Sequence, residues 1–334
     1  MEKILTITVP SYNVERFLHE TLDSFVDERI MEELEVLVID DGSKDGTARI
    51  GKEYEEKYPQ TFRVISKENG GHGSTINRGI REAKGKYFKV VDGDDWVDTE
   101  GLVRLVGKLS KCQGDYVITD YYEVNDITKE RTEVRFSSLV PEKEMSFEEA
   151  AKKVQIPMHA LVIRTEILKK HEIFLDEHCF YVDVEYVLYP VPYVETVCYY
   201  DIFVYMYRLA QAEQSVSMQG FRNHMQNHID VIFHTLDYIN AYKAGGNAQE
   251  IKVRYMAKRI AQMVNDQVSI FISFPLSDKK IREQFKKFDC TVKEKNPLVY
   301  KWAGEYSGLL RTLRKTDFRF YPVFASISRL RNRM

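Results

Sequence analysis

The chain has 334 residues, enough for one large domain with an appendage or for two domains. Hydrophobic residues make up 44% and charged residues 30%, with 17 Gly and 9 Pro, a balance that excludes disordered and collagen-like chains. Lys and Arg total 48 against 51 Asp and Glu, so the formal charge of −3 offers nucleic acid no global attraction.

The first 120 residues alternate two periodicities. Residues 4–9 read as a strand, Val14 to about Val26 as a helix, and 34–39 as a buried strand. After Asp41-Gly42-Ser43 the pattern gives a helix over 45–57, a strand over 62–65, a helix from Ser74 to Ala83 and a strand over 87–91. Strands and helices in series predict an α/β sheet with parallel strands, whose ligands bind beyond the carboxyl ends of those strands. Strand candidates follow at 116–124 and 197–207, with a helix between about 146 and 154. Beyond Phe221 the spacing of Ile229, Ile232, Phe233, Leu236 and Ile239 is helical. This places a domain of residues 1–220, made of halves 1–115 and 116–220, before a helical region of 221–334.

The cysteines at 112, 179, 198 and 290 show neither a disulfide framework nor metal-ligand spacing, which is the pattern of reduced cytosolic thiols. Met1 to Pro10 lacks the apolar core and cleavage site of a signal peptide. No apolar run reaches the roughly 18–20 residues that span a bilayer. The 21 Tyr and 18 Phe suit a large core and ring-lined clefts alike.

The two richest polar clusters fall at predicted strand ends. In Asp92-Gly93-Asp94-Asp95, three carboxylates within four residues repel one another unless a cation sits among them. A hard divalent ion shared with substrate phosphates is one answer and a solvated turn is the other. Asp40-Asp41-Gly42-Ser43 reads equally as a turn with a helix cap, although Asp41 is also suited to accept the imide N–H of a pyrimidine base. In Asn69-Gly70-Gly71-His72-Gly73-Ser74 the dinucleotide pattern fails because Ile76 stands where a third glycine belongs. The stretch from Gly79 to Lys86 misses a phosphate-binding P-loop, having one residue too many and Tyr87 in place of Ser or Thr.

The order of these pieces resembles the family 2 glycosyltransferases of the GT-A fold. Val9-Pro10-Ser11-Tyr12-Asn13 comes first, then Asp40-Asp41-Gly42-Ser43, Asn69-Gly70-Gly71 with Asn77-Arg78-Gly79-Ile80, and Gly85-Lys86-Tyr87 leading to Asp92-Gly93-Asp94-Asp95. The likeness is specific over residues 1–110 and looser to about 217. It implies a Rossmann-like nucleotide-binding sheet flanked by helices, with a helical C-terminal region. It also implies that Pro10 and Tyr12 line a base pocket, that Asp41 reads the base, and that Asn77, Gly93 and Arg208 border the nucleotide sugar. Asp92 and Asp94 would hold Mn²⁺ or Mg²⁺, Asp92 lying near the ribose, and Asp95 would orient the acceptor or its neighbours. Some relatives place an Arg near position 71, where this chain reads Gly70-Gly71-His72-Gly73, so a uridine base is less firmly implied than a nucleotide.

The family's general base is an Asp in a Glu-Asp pair. Asp183 stands in that place with Val182 before it, among apolar neighbours that raise a carboxyl pKa. A helix N-cap explains Asp183 as well, and Glu185 is the alternative base. Tyr207-Arg208-Leu209 with Gln214-Ser215-Val216-Ser217 resembles a segment that closes over the donor, where Arg208 would neutralise the leaving diphosphate or be an ordinary surface Arg. His159, His224 and His228 are each candidate ligands, but a lone His is more often structural and no Glu or Cys joins His224 and His228 in a zincin pattern, so metal binding is left to the aspartates. From Leu309 to Met334 seven basic residues and one acid are mixed with Phe318, Phe320, Tyr321 and Phe324, which suits an anionic leaflet or a solvated helix end.

The expectation is an inverting, metal-dependent transferase moving a sugar from a nucleoside diphosphate, with a leaning to UDP, onto a hydroxyl of a saccharide or lipid-linked acceptor. Such an enzyme would serve polysaccharide or cell-envelope glycan synthesis in the cytoplasm or at the inner face of the plasma membrane. The alternatives are a sugar-nucleotide nucleotidyltransferase and a non-catalytic sugar-nucleotide binder. A nucleotidyltransferase would want an Arg/Lys-bearing glycine loop where Pro10-Ser11-Tyr12-Asn13 stands, while Val182 before Asp183 favours the binder.

Overall fold

The computed structural model describes residues 3–210, 217–275 and 279–331 and divides the chain into two compact units, Met1–Gln211 and Ala212–Met334. The expected boundary at 220 falls inside a short helix instead, because Ser217 caps it by accepting the N–H of Gly220.

In the first unit the chain runs β1 (Leu5–Ser11), α1 (Glu15–Asp23), β2 (Leu34–Asp40), α2 (Thr47–Lys57), β3 (Phe62–Ser66), α3 (His72–Glu82), β4 (Tyr87–Val90), β5 (Trp96–Val97) and α4 (Thr99–Leu109). It continues with β6 (Tyr116–Asn125), β7 (Arg131–Val134), β8 (Glu144–Ser146), α5 (Phe147–Ala151), β9 (Leu161–Arg164), α6 (Thr165–Lys170), α7 (Asp183–Leu188) and β10 (Thr196–Leu209). Among the described residues one sheet orders these strands β3-β2-β1-β4-β9-β6-β10-β5, with β7 beside β6 and β8 beside β10.

Every residue of β1, β2 and β4 is buried, as befits parallel strands covered on both faces. The parallel half, β3-β2-β1-β4, is the one the alternating pattern predicts. The other half is mixed, with β9 antiparallel to both β4 and β6, and β10 parallel to β6. The sequence pattern missed β5, β7, β8 and β9, all of four residues or fewer and too short to show a period.

The second unit is helical among its described residues: α8 (Met218–Asn223), α9 (Met225–Ala244), α10 (Glu250–Ser273), α11 (Lys279–Lys295), α12 (Pro297–Tyr306), α13 (Gly308–Lys315) and α14 (Tyr321–Arg331). Ile229, Ile232, Leu236 and Ile239 bury their side chains as the spacing requires, and Phe233 is half-buried. His228 is a core residue whose Nδ1 meets Gln267 Oε1 at 2.9 Å, and burial lowers its pKa to about 4. His224 ends α8.

A buried ion pair closes this unit. Arg314 bonds Asp289 at 2.7 Å with both side chains nearly inaccessible, and it donates to the Tyr300 carbonyl at 2.7 Å. Removing one partner strands a buried charge, so Arg314→Ala should cost about 3–5 kcal/mol in urea unfolding, and a loss under about 1 kcal/mol would contradict the pairing.

Candidate active site

The ends of β1, β2 and β4 open onto one region, as parallel strands dictate. Pro10 is buried at the end of β1, and its carbonyl accepts the N–H of Gly93 at 3.0 Å. A Cβ on Gly93 would stand 2.8 Å from that oxygen, so the approach of the β4 loop to β1 needs glycine. Two residues after Pro10 the Tyr12 ring is 51% exposed and free of the sheet.

The loop after β4 is held from behind by β10. Asp95, 2% exposed, accepts the Tyr205 hydroxyl at 2.6 Å and the Arg208 N–H at 2.7 Å. The same Tyr205 oxygen accepts the Asp92 N–H at 3.2 Å. Arg208 is 3% exposed, its guanidinium lying between the rings of Phe17 and Trp96. It donates at 2.6 Å to the Asp94 carbonyl, to Asp126 and to Glu20. Asp92 and Asp94 are thereby fixed at the mouth of the sheet.

On the other side Asp41 gathers the loop that precedes α3. Its carboxylate is buried and accepts from Lys67 Nζ at 2.5 Å and from the N–H groups of Gly70 and Gly71 at 2.9 and 2.8 Å. Gly71 turns with φ of +82°, which glycine adopts without strain. A Cβ on Gly73 would lie 2.0 Å from the Asp176 carbonyl, so α3 enters flush against the 174–178 segment. His72, the first residue of α3, then brings Nε2 to 2.7 Å of Asp92 Oδ1. Burial opposes the charge on both groups, yet the Asp92 carboxylate lifts the His72 pKa and His72 holds the Asp92 carboxyl below its usual range. Asp94 is pushed the other way, up to about 6, by burial and then by the Asp92 charge.

Asp183 joins these groups from the far half of the sheet. It opens α7 with Val182 as N-cap, so capping does not account for it. Its charge acts on His72 and, with those of Asp92, Asp94 and Asp95, on Tyr207, whose hydroxyl pKa burial and these carboxylates raise. Tyr207 stacks on His159 with ring centres 4.0 Å apart. The turn bearing His159 is pinned by Lys89, a wholly buried lysine donating to the carbonyls of His159 and Leu161 at 2.8 and 3.3 Å. Glu185 points elsewhere: it is fully buried and accepts the Asp176 N–H at 2.8 Å.

Comparison with known proteins places this architecture. A model of glycosyl transferase family 2 matches residues 6–172, half of the chain. The chain belongs to that family. Glycosyltransferase GlyA of Streptococcus pneumoniae is 34% identical over 122 residues, 36% of this chain and 17% of the relative. The uncharacterized glycosyltransferase EpsJ of Bacillus subtilis is 36% identical over 123 residues, 37% of this chain and 35% of the relative. The poly(ribitol-phosphate) beta-glucosyltransferase of Bacillus spizizenii is 32% identical over 123 residues, 36% of this chain and 19% of the relative. The matched stretch thus spans about a third or less of these relatives. The fold extends further: TarS residues 1–349 of S. aureus, solved with UDP-GlcNAc, align at TM-score 0.66 and 20% identity over 98% of this chain and 92% of that one. A Pyrobaculum calidifontis mannosyltransferase, solved with GDP-Man and Mn²⁺, aligns at TM-score 0.50 and 14% identity over 100% of this chain and 89% of that one. This member of glycosyl transferase family 2 has the GT-A fold and a helical C-terminal region.

Within this family 2 frame the structure sorts the residues expected at the site. Pro10, Tyr12, Asp41, Asp92, Gly93 and Asp94 gather at the strand ends, and Asp183 shares their electrostatic neighbourhood. Three residues are placed otherwise. Asn77 is buried and clasps both the N–H and the carbonyl of Leu175 at 2.9 Å, so it fastens α3 to the 174–178 segment instead of bordering a ligand. The Asp95 carboxylate is taken by β10 instead of facing an acceptor. Arg208 is neither a surface residue nor turned to a diphosphate, because its donors are committed to Asp94, Asp126 and Glu20. Residues 214–216 of the expected closing segment lie outside the described residues. The sequence assigned no role of their own to His72, Tyr205, Tyr207 and Lys89. Of these Lys89 carried a signal, a lone charge inside an apolar strand.

A divalent cation suits the donors present. Asp92 and Asp94 offer hard carboxylate oxygens in one field, and the burial of Asp94 beside the Asp92 charge is the situation a cation relieves.

Burial pushes the Glu185 carboxyl up to about 8, above its unfolded range. Between about pH 4.5 and 8 the folded chain keeps a proton that the unfolded chain has lost, so stability falls as pH rises through that window, by on the order of 5 kcal/mol. Glu185→Gln keeps an acceptor for the Asp176 N–H and removes the titration. Its melting temperature should therefore fall less than that of the wild type between about pH 5 and 8.5, and parallel profiles would contradict the burial of a titrating carboxyl.

Proposed function

We propose that the chain transfers a sugar, with inversion, from a nucleoside diphosphate sugar to a hydroxyl of a saccharide or lipid-linked acceptor, in polysaccharide or cell-envelope glycan synthesis. The observation that carries this reading is the meeting of Asp183, on the acceptor half, with Asp92 and Asp94, on the donor half, around His72 and Tyr207. Relatives include a minor teichoic acid biosynthesis protein of Bacillus subtilis and a poly(ribitol-phosphate) glucosyltransferase, which supports an envelope polymer as the acceptor class. UDP is favoured by the exposed Tyr12 ring after β1 and the buried Asp41 after β2, whose Oδ2 accepts a single N–H among the described residues. The four cysteines are free thiols, which supports a cytoplasmic site of action.

In this reading Tyr12 stacks on the base while Asp41 holds the 67–71 loop beneath it and reads the imide. Asp92 and Asp94 hold Mn²⁺ or Mg²⁺, which when bound supplies positive charge to the leaving diphosphate. Asp183 accepts the proton of the acceptor hydroxyl as its oxygen attacks the anomeric carbon from the face opposite the diphosphate. Tyr207 and His159 form an aromatic wall beside Asp183. Arg208 and Tyr205 fix the loop from behind, so that the metal-binding carboxylates need no rearrangement when the donor arrives.

Calorimetry and turnover separate these roles. Asp94→Ala should weaken UDP binding in Mn²⁺ by at least about tenfold while leaving metal-free binding unchanged, and undiminished Mn²⁺-dependent binding would remove the metal role. Asp183→Asn should keep donor affinity and lose turnover by about 10²–10⁴-fold, whereas a variant that still turns over would place the base elsewhere.

A further inference from the structure

We propose that α14, with the basic helix α11 packed beside its start, forms a surface that lies on an anionic lipid leaflet. Between Lys279 and Arg331 the chain carries fourteen Lys and Arg against five Asp and Glu, although the whole chain sums to −3. Large apolar residues at this end of the chain turn in two directions. Phe318 and Tyr321 turn inward, Phe318 meeting Phe285 of α11 edge-on at 4.8 Å and the Tyr321 hydroxyl donating to the Phe271 carbonyl at 3.0 Å. Phe320, Val323 and Ile327 turn outward and are 51%, 50% and 48% exposed.

These three stand at i, i+3 and i+7. The N–H groups of Val323 and Phe324 both reach the Phe320 carbonyl, so the helical path begins there and the three form one ridge. The Phe285–Phe318 contact sets α11 beside the turn that leads into the ridge, as does the bond from Lys286 to Asp317 at 2.8 Å. Arg314 is consumed by Asp289, and Arg311 donates to the carbonyls of Gly304 and Glu305. Arg319 is exposed directly before the ridge, Lys315 is exposed at the end of α13, and Lys287 is exposed on α11. An apolar helical ridge rimmed by cations is the arrangement of a helix lying in a lipid interface, where the acyl boundary takes the ridge and anionic headgroups take the rim. A soluble polyanion would use the rim and leave the ridge in water. A second copy of the chain would bring the same positive charge against it. The inference is independent of the donor and metal chemistry.

The test is co-sedimentation of the full chain with vesicles of phosphatidylcholine alone and of phosphatidylcholine with phosphatidylglycerol. Two variants are compared with the wild type: Phe320→Ser with Val323→Ser and Ile327→Ser, and Lys315→Glu with Arg319→Glu. All five side chains are exposed, so both variants should retain wild-type circular dichroism and melting temperature. The wild type should bind the anionic vesicles at least about tenfold more tightly than the neutral ones, and each variant should lose on the order of tenfold. Equal wild-type binding to both vesicles overturns the proposal. So does wild-type affinity in the triple serine variant, which would assign the rim to a polyanion. Sedimentation equilibrium supplies a third contradiction: a dimer that the serine variant dissociates, with vesicle binding unchanged, would make the ridge an interface between copies.

Discussion

A buried carboxylate, Asp95, ties the loop after β4 to β10, and the candidate site depends on that tie. It accepts from the Tyr205 hydroxyl and the Arg208 N–H, while Tyr205 accepts from the Asp92 N–H and Arg208 donates to the Asp94 carbonyl. Three acidic residues within four positions would repel one another in a free loop. Here one of them is spent on structure, which leaves Asp92 and Asp94 as the pair at the strand ends. Burial and the neighbouring carboxylates push the Asp95 pKa upward, and its two hydrogen bonds offset part of that cost. The network is satisfied by strong donors at short range, which is what makes a buried polar cluster rigid.

The same economy recurs across the site. Asp41 spends most of its acceptor capacity on Lys67, Gly70 and Gly71, Asn77 spends its amide on Leu175, and Lys89 spends its ammonium on two carbonyls. Each holds a backbone segment that carries a residue facing the opening: His72 after the Asp41 loop, Asp183 after the segment gripped by Asn77, His159 on the turn pinned by Lys89. The residues proposed to carry the chemistry are thus held by neighbours whose polar groups are tied to the backbone, and fixed geometry is what electrostatic catalysis requires.

How much of this was legible in the sequence varied with the kind of signal. The parallel half of the sheet was readable because its strands are apolar throughout and alternate with helical periods, and the acidic clusters mark the strand ends. The mixed half was not, since β5, β7, β8 and β9 are too short for a period. Asp92, Asp94 and Asp183 were found as residue types in an order that resembles the family. The partners of Asp95, Asn77 and Arg208 were invisible, because the contacts from Asp95 to Tyr205 and from Asn77 to Leu175 span 110 and 98 residues of chain. A sequence shows that an arginine follows Tyr207 but not that Phe17 and Trp96 enclose it. The near-neutral total charge likewise concealed two opposite regions, the carboxylates of the site and the basic stretch from Lys279 to Arg331.

The central claim is that the site activates a nucleoside diphosphate sugar with the help of a divalent cation. Its most direct test is release of the nucleoside diphosphate when the wild-type chain is incubated with a panel of UDP- and GDP-sugars, with Mn²⁺ and with chelator. The account predicts slow release from at least one UDP-sugar, abolished by chelation. Chelator-insensitive release, release from GDP-sugars alone, or no binding of any UDP-sugar in Mn²⁺ would contradict it.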